Sequence, residues 1–205
     1  LGSAVNPVLR EGNSDRRVAA PVKEYAKANP HSMGAWSSDS KTHVAHMSSG
    51  DFFGSELSHT MASAGVVRIE HHADDGTITT LKDNISLEAG EVIDASAMSA
   101  AGLRTFLAEQ LADAKANDVM VSLHVKATMM KISDPIIFGH MVSTYLKDVF
   151  DRHGETLAEA GVDPDNGIGA MLARIADLPA QSREPIERDI AACFENGPAL
   201  AMVNS

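Results

Sequence analysis

Residues 99–125 read SAAGLRTFLAEQLADAKANDVMVSLHV, and their pattern decides the class of fold. Ser99 is suited to cap a helix whose apolar stripe is Leu103, Phe106, Leu107 and Leu111, the three- and four-residue spacing of one helix face. Val119 to Val125 follows as an apolar run about as long as a buried strand. Just upstream, after the Ala89-Gly90 turn, Glu91 to Ala95 also reads as a strand. A strand, a crossover helix and a second strand imply parallel neighbours. The expected fold class is therefore α/β, a mixed and partly parallel sheet with flanking helices.

Towards the N-terminus, Gly65 to His72 and Thr77 to Lys82 flank Asp74-Asp75-Gly76, which is a hairpin signal, and Thr42 to Met47 reads as a further strand. Pro21 suits the first turn of a short helix that ends before Asn29-Pro30. Residues 1–17 and 30–41 carry loop chemistry, the former through Gly2, Pro7, Gly12 and the Asn13-Ser14-Asp15 cluster. Towards the C-terminus, Asp134-Pro135 opens a helix carrying Ile137, Phe138, Met141, Val142, Tyr145 and Val149, with Asp134 as its cap. Asp163-Pro164, Pro179 and Gly197-Pro198 punctuate further helices to about residue 195. No internal repeat or low-complexity tract interrupts this order.

The 205 residues are 44% apolar and 22% charged, an ordinary balance for a globular chain with a sizeable core. A formal net charge of -11 argues against nucleic acid or an anionic membrane as a partner, because both require a basic footprint. That charge is uneven. Arg10, Arg16, Arg17, Lys23, Lys27 and Lys41 outnumber Glu11, Asp15, Glu24 and Asp39 over residues 1–41, so the acidity lies in the remainder. Cys193 is the only cysteine, which precludes an internal disulfide, favours a buried thiol over a nucleophile and points to a reducing cytoplasm. No run approaches the roughly 18 apolar residues that a membrane span needs.

Ser3, Asn6, Arg10 and Arg16 crowd two guanidinium forks and two small hydrogen-bonding side chains into a turn-rich stretch. An Arg fork meets a carboxylate two bonds at a time, so this is chemistry for a small polycarboxylate. The competing reading is that of solvated surface charges, the usual state of loop arginines. Lys126 comes just past an apolar strand, where open α/β sheets present ligand groups. Desolvation there would lower its pKa and fit it for proton transfer, against the alternative of a buried stem with a wet head. The pairs His43/His46 and His71/His72 lack a zinc spacing and would point to opposite faces of their strands. His124 reads as a hydrogen-bonded core or rim residue. Asn166-Gly167-Ile168-Gly169 lacks the full dinucleotide fingerprint and a preceding strand, and reads as a loop that starts a helix.

Residues 6–17 (NPVLREGNSDRR), 31–47 (HSMGAWSSDSKTHVAHM), 122–136 (SLHVKATMMKISDPI) and 200–205 (LAMVNS) together resemble the monomeric NADP-dependent isocitrate dehydrogenases of bacteria. The resemblance covers the whole chain through long, ungapped motifs. It implies oxidative decarboxylation of isocitrate to 2-oxoglutarate with NADP and Mg2+ or Mn2+, by an enzyme that is a monomer. It also implies that Ser3, Asn6, Arg10 and Arg16 bind substrate and that Lys126 is the lysine critical for catalysis. Under it, residues 1–12 end a small domain and residues 13–205 form the N-terminal part of the large domain of an isocitrate/isopropylmalate dehydrogenase-like fold. The chain, starting at Leu1 without an initiator Met, then reads as an internal segment with half of the substrate site. Metal-binding aspartates, a partner tyrosine and most NADP contacts are expected after Ser205, and some cofactor contacts before Leu1. A non-catalytic polycarboxylate-binding module, or a decarboxylating dehydrogenase of another 2-hydroxy acid, are the alternatives.

Overall fold

The computed structural model describes residues 20–30 and 35–204, and within them the chain is mixed α/β. The described residues divide into two compact units, residues 46–105 and a second formed by those before 46 together with 106–204. Helix α1 (Ala20–Ala28) occupies the stretch announced by Pro21 and ends before Asn29. Residues 41–47 form no strand, contrary to the expectation for Thr42 to Met47. A strand exists only through a partner ladder, and this segment instead makes local contacts: Ser40 Oγ accepts from the Thr42 amide, and the His43 ring meets the Lys41 carbonyl. Val44 is 90% exposed, so burial does not hold the segment extended either.

The smaller unit is built from antiparallel pairs. Its short helix α2 (Phe52–Ser55) is capped by Asp51, whose carboxylate accepts the Gly54 amide at 3.1 Å. Strand β1 (Leu57–Thr60), unforeseen in the sequence, pairs with β4 (Val92–Ala95) in the register Leu57 with Ala95. Strands β2 (Gly65–His72) and β3 (Ile78–Leu87) form the expected hairpin, and β3 runs past Lys82. The turn closes because Ala73 and Thr77 share a backbone bond, the Asp75 carboxylate accepts the Thr77 amide, and Gly76 takes φ 85°. On β2, Glu70 is held between Arg68 at 2.6 Å and His72 at 3.2 Å. That contact occupies His72 with a carboxylate.

Helix α3 (Ala100–Asn117) starts where Ser99 predicts, with Ser99 Oγ accepting the Gly102 amide at 3.1 Å. Its C-terminal carbonyl at Asn117 receives Lys41 Nζ at 3.3 Å, a cation at the negative end of a helix. Strand β5 (Val121–Val125) then departs from expectation in its pairing. It does not join β4, which is taken up by β1; it lies parallel to β6 (Leu200–Asn204), from Val121 with Leu200 to Val125 with Asn204. The parallel element of the fold is real, but its crossover is the helical run between β5 and β6 rather than α3.

That run begins with α4 (Ser133–Tyr145) and turns at Leu146 into α5 (Lys147–Glu159), so the single helix expected through Val149 is two. Leu146 is completely buried at the bend, which lets Val142 and Val149 on either side reach the same core. A 3-10 turn (Pro164–Asn166), α6 (Gly167–Ala176) and α7 (Ala180–Asn196) complete it. Met141, Val142, Leu146, Val149, Leu157, Met171, Ile175 and Ile186 are the fully buried core, each contributing about 1.5–3 kcal/mol relative to exposure. Tyr145 joins α4 to the start of β6: its hydroxyl donates to the Pro198 carbonyl at 2.9 Å and its ring lies 5.3 Å from that of Phe194. Between α5 and α7, Asp189 meets His153 at 2.8 Å and Arg152 at 3.2 Å. Cys193, one turn further along α7, is half-buried; burial, then Asp148 and Asp189, push its thiol pKa up, which keeps it in the unreactive protonated form.

Gly139 of α4 faces the 3-10 turn so closely that an added Cβ would lie 2.9 Å from the Asp165 amide nitrogen and against its carboxylate. Gly139→Ala is expected to lower unfolding stability by about 1–3 kcal/mol in urea titrations, and an unchanged midpoint would show that the turn yields freely. Asp189 has a pKa below the usual aspartate value because His153, and then Arg152, bond its charged form. Such a group stabilises the fold above its unfolded pKa of about 3.9 and ceases to as pH falls through the lower folded value. The urea midpoint of Asp189→Asn should therefore fall less steeply below about pH 4 than that of the parent, and superimposable pH curves would contradict the assignment.

Candidate functional site

Lys126 is the first residue after β5, at the carboxyl end of the parallel pair. Val121, Leu123 and Val125 turn to the more buried face while Ser122 and His124 lie on the exposed one, the alternation that a strand imposes. Ser122 Oγ and His124 Nε2 are 2.7 Å apart on that exposed face, so His124 is a hydrogen-bonded rim residue. Lys126 itself is half-buried.

The backbone around Lys126 is closely held. Its amide donates to Asp134 Oδ2 at 2.6 Å, and its carbonyl accepts from the amides of Met129 and Met130, each at 2.9 Å. The Asp134 amide in turn donates to the Met130 carbonyl at 3.1 Å. Asp134 is thus not the helix cap that its place before Pro135 suggests. It sits in the first turn of α4 and aims its carboxylate back at the strand end, while Pro135 occupies a first-turn position where a missing N–H costs no helical bond. No side-chain cap serves α4 at Ile132. The Asp-Pro pair, nine residues beyond the end of β5, suggests a cap for Asp134, whereas the carboxylate bonds the Lys126 amide.

Around this loop, Met129, Met130, Ile132 and Ile136 expose large apolar side chains, with Ile132 78% exposed. A cavity of about 390 Å³ opens elsewhere in the same unit, lined by Phe138, Asn166, Gly167, Ile168, Gly169, Phe194, Leu200 and Met202. Lys126 is not among its walls. The glycine run starts α6, as expected, and follows a 3-10 turn instead of a strand. None of the lining residues carries a cationic side chain to meet a phosphate.

Ser3, Asn6, Arg10 and Arg16 lie outside the described residues, so of the five sequence-predicted site residues the structure places Lys126 alone. Among the described residues no group of three or more His, Cys, Asp and Glu side chains could hold a metal ion. No helix among them is long and apolar enough to cross a membrane.

Comparison with known proteins supplies a family. The family model described as "Monomeric isocitrate dehydrogenase" matches residues 1–205. The chain is 57% identical over 205 residues to "Isocitrate dehydrogenase [NADP] 2" of Colwellia maris. It is 55% identical over 204 residues to "Isocitrate dehydrogenase [NADP]" of Azotobacter vinelandii, and 51% identical over 205 residues to "Isocitrate dehydrogenase [NADP] 2" of Mycobacterium tuberculosis. In each case all of this chain is covered, and it spans 28% of the length of the relative.

Proposed function

The chain belongs to the monomeric isocitrate dehydrogenase family, and on that premise we propose that it supplies half of the substrate site of an NADP-dependent isocitrate dehydrogenase. The reaction oxidises the C2 hydroxyl of isocitrate and releases carbon dioxide to leave 2-oxoglutarate. Lys126 at the carboxyl end of β5 is the observation that carries this reading. A lysine on a firmly held strand end, half-buried and beside an apolar loop, is suited to move one proton at one substrate atom.

In this proposal Arg10 and Arg16 grip the substrate carboxylates through paired N–H donors, and Ser3 and Asn6 hydrogen-bond a third carboxylate or the hydroxyl. Their task is positioning, which converts an encounter between separate reactants into a reaction within one complex. Lys126 then moves a proton at the C2 hydroxyl, or returns one to the enol left after carbon dioxide departs. NADP and a divalent cation, Mg2+ or Mn2+, belong to the proposed reaction, the one as hydride acceptor and the other to polarise the C2 oxygen, and no step proposed for this chain is routed through them. The glycine run faces a cavity without cationic walls, and no ligand cluster is present among the described residues. The steps assigned to this chain are accordingly binding, orientation and proton transfer by its own side chains.

At the level of architecture, the reading makes residues 1–12 the end of a small domain and residues 13–205 the first part of a large α/β domain of the isocitrate/isopropylmalate dehydrogenase type. The enzyme would act as a cytoplasmic monomer. The test uses the protein expressed from its complete coding sequence, assayed for NADPH formation with isocitrate and Mn2+. Lys126→Met should lower kcat by about 10²–10⁴-fold with KM little changed, while Arg10→Gln and Arg16→Gln should act chiefly by raising the isocitrate KM. A Lys126→Met enzyme at the parent rate would remove Lys126 from the chemistry.

A further inference from the structure

The hydrogen bonds around Lys126 form a closed circuit. Asp134 Oδ2 accepts the Lys126 amide at 2.6 Å, the Lys126 carbonyl accepts the Met130 amide at 2.9 Å, and the Met130 carbonyl accepts the Asp134 amide at 3.1 Å. Met129 adds a second amide to the Lys126 carbonyl at 2.9 Å, and Ser133 Oγ lies 3.2 Å from the other Asp134 oxygen. Both polar groups of the Lys126 backbone are therefore committed. Its peptide planes cannot turn without breaking the circuit.

We propose that Asp134 is the positioning residue for Lys126, holding the strand end so that the lysine stem leaves it in the direction that proton transfer requires. The inference rests on the proposed role of Lys126. Three features support it beyond helix initiation. A first-turn aspartate that served only α4 would bond amides of its own helix, whereas this carboxylate crosses eight residues to the strand. The bond is short and charge-assisted, the class roughly twice as strong as a neutral pair, and Asp134 is half-buried, so water competes for it less. Lys126 itself reaches out on a flexible four-carbon stem, so the angle at which the backbone releases it governs where the ammonium arrives.

The experiment uses the protein expressed from its complete coding sequence, with isocitrate, NADP and Mn2+, in four forms: parent, Asp134→Ala, Lys126→Met and the double variant. A misplacement near 1 Å costs on the order of 100-fold, so Asp134→Ala should lower kcat about 10- to 100-fold with the isocitrate KM little changed. The pH profile of kcat should shift with it. Asp134→Asn, which keeps an acceptor oxygen, should recover most of the loss. In the Lys126→Met background, Asp134→Ala should cost nothing further, because no lysine remains to be placed.

An Asp134→Ala enzyme with the parent kcat, or one that loses the same factor whether or not Lys126 is present, overturns the proposal and leaves Lys126 its role. Lys126→Met at the parent rate overturns both. Should Asp134→Ala fail to fold, Asp134→Glu, which keeps the charge and displaces it by one methylene, takes its place in the same cycle with the same expected and contrary outcomes.

Discussion

Strands lying side by side in the same direction cannot be joined by a tight turn, and the parallel pairing of β5 with β6 imposes that constraint on the chain from residue 121 to 204. Everything between Val125 and Leu200 has to serve as the return path. The chain makes that path from helices, and their inner faces supply nearly all of its fully buried side chains, from Met141 to Ile186. The bend at Leu146 belongs to the same requirement, because α4 and α5 must turn to present Val142 and Val149 to one core. Tyr145 completes it by tying α4 to Pro198, two residues before β6 begins.

The pairing also fixes where chemistry can be offered. The carboxyl end of a parallel strand is an exit at which the ladder stops and the chain must change direction, so it presents side chains that the sheet no longer constrains. Lys126 stands at that exit. What restrains it is no longer sheet but the circuit through Met130 and Asp134, which hands the chain from strand to helix within a few residues. Strand pairing and loop circuit therefore act in series on one stretch of backbone, the first ending at Val125 and the second holding the amide and carbonyl of Lys126.

Much of this was legible in the residues. Ser99 with its apolar stripe gave α3, Asp74-Asp75-Gly76 gave the hairpin, and the run ending at Val125 put Lys126 at a strand end. These are local signals, each written within a few residues of what it specifies. The errors share the opposite character. Glu91 to Ala95 reads as a strand, but its antiparallel neighbour does not, because its partner β1 is a short polar stretch without a clear pattern. Leu200 to Asn204 carries little periodicity, and only its distant partner makes it a strand. Thr42 to Met47 has the composition of a strand and, among the described residues, no partner to make it one. Asp134 reads locally as a cap, and its bond to the amide of Lys126 could not be inferred from spacing. For Ser3, Asn6, Arg10 and Arg16 the sequence and family membership alone speak, since they lie outside the described residues.

The central claim is that the strand end delivers Lys126 to the reacting atoms of isocitrate. A crystal structure of the protein from its complete coding sequence, with isocitrate bound, tests it most directly. The account predicts Lys126 Nζ within hydrogen-bond reach, about 2.6–3.2 Å or through a single water, of the C2 hydroxyl, with the Asp134 bond to the Lys126 amide intact. A Lys126 side chain directed away from the substrate in that complex, with another group at the hydroxyl, would contradict it.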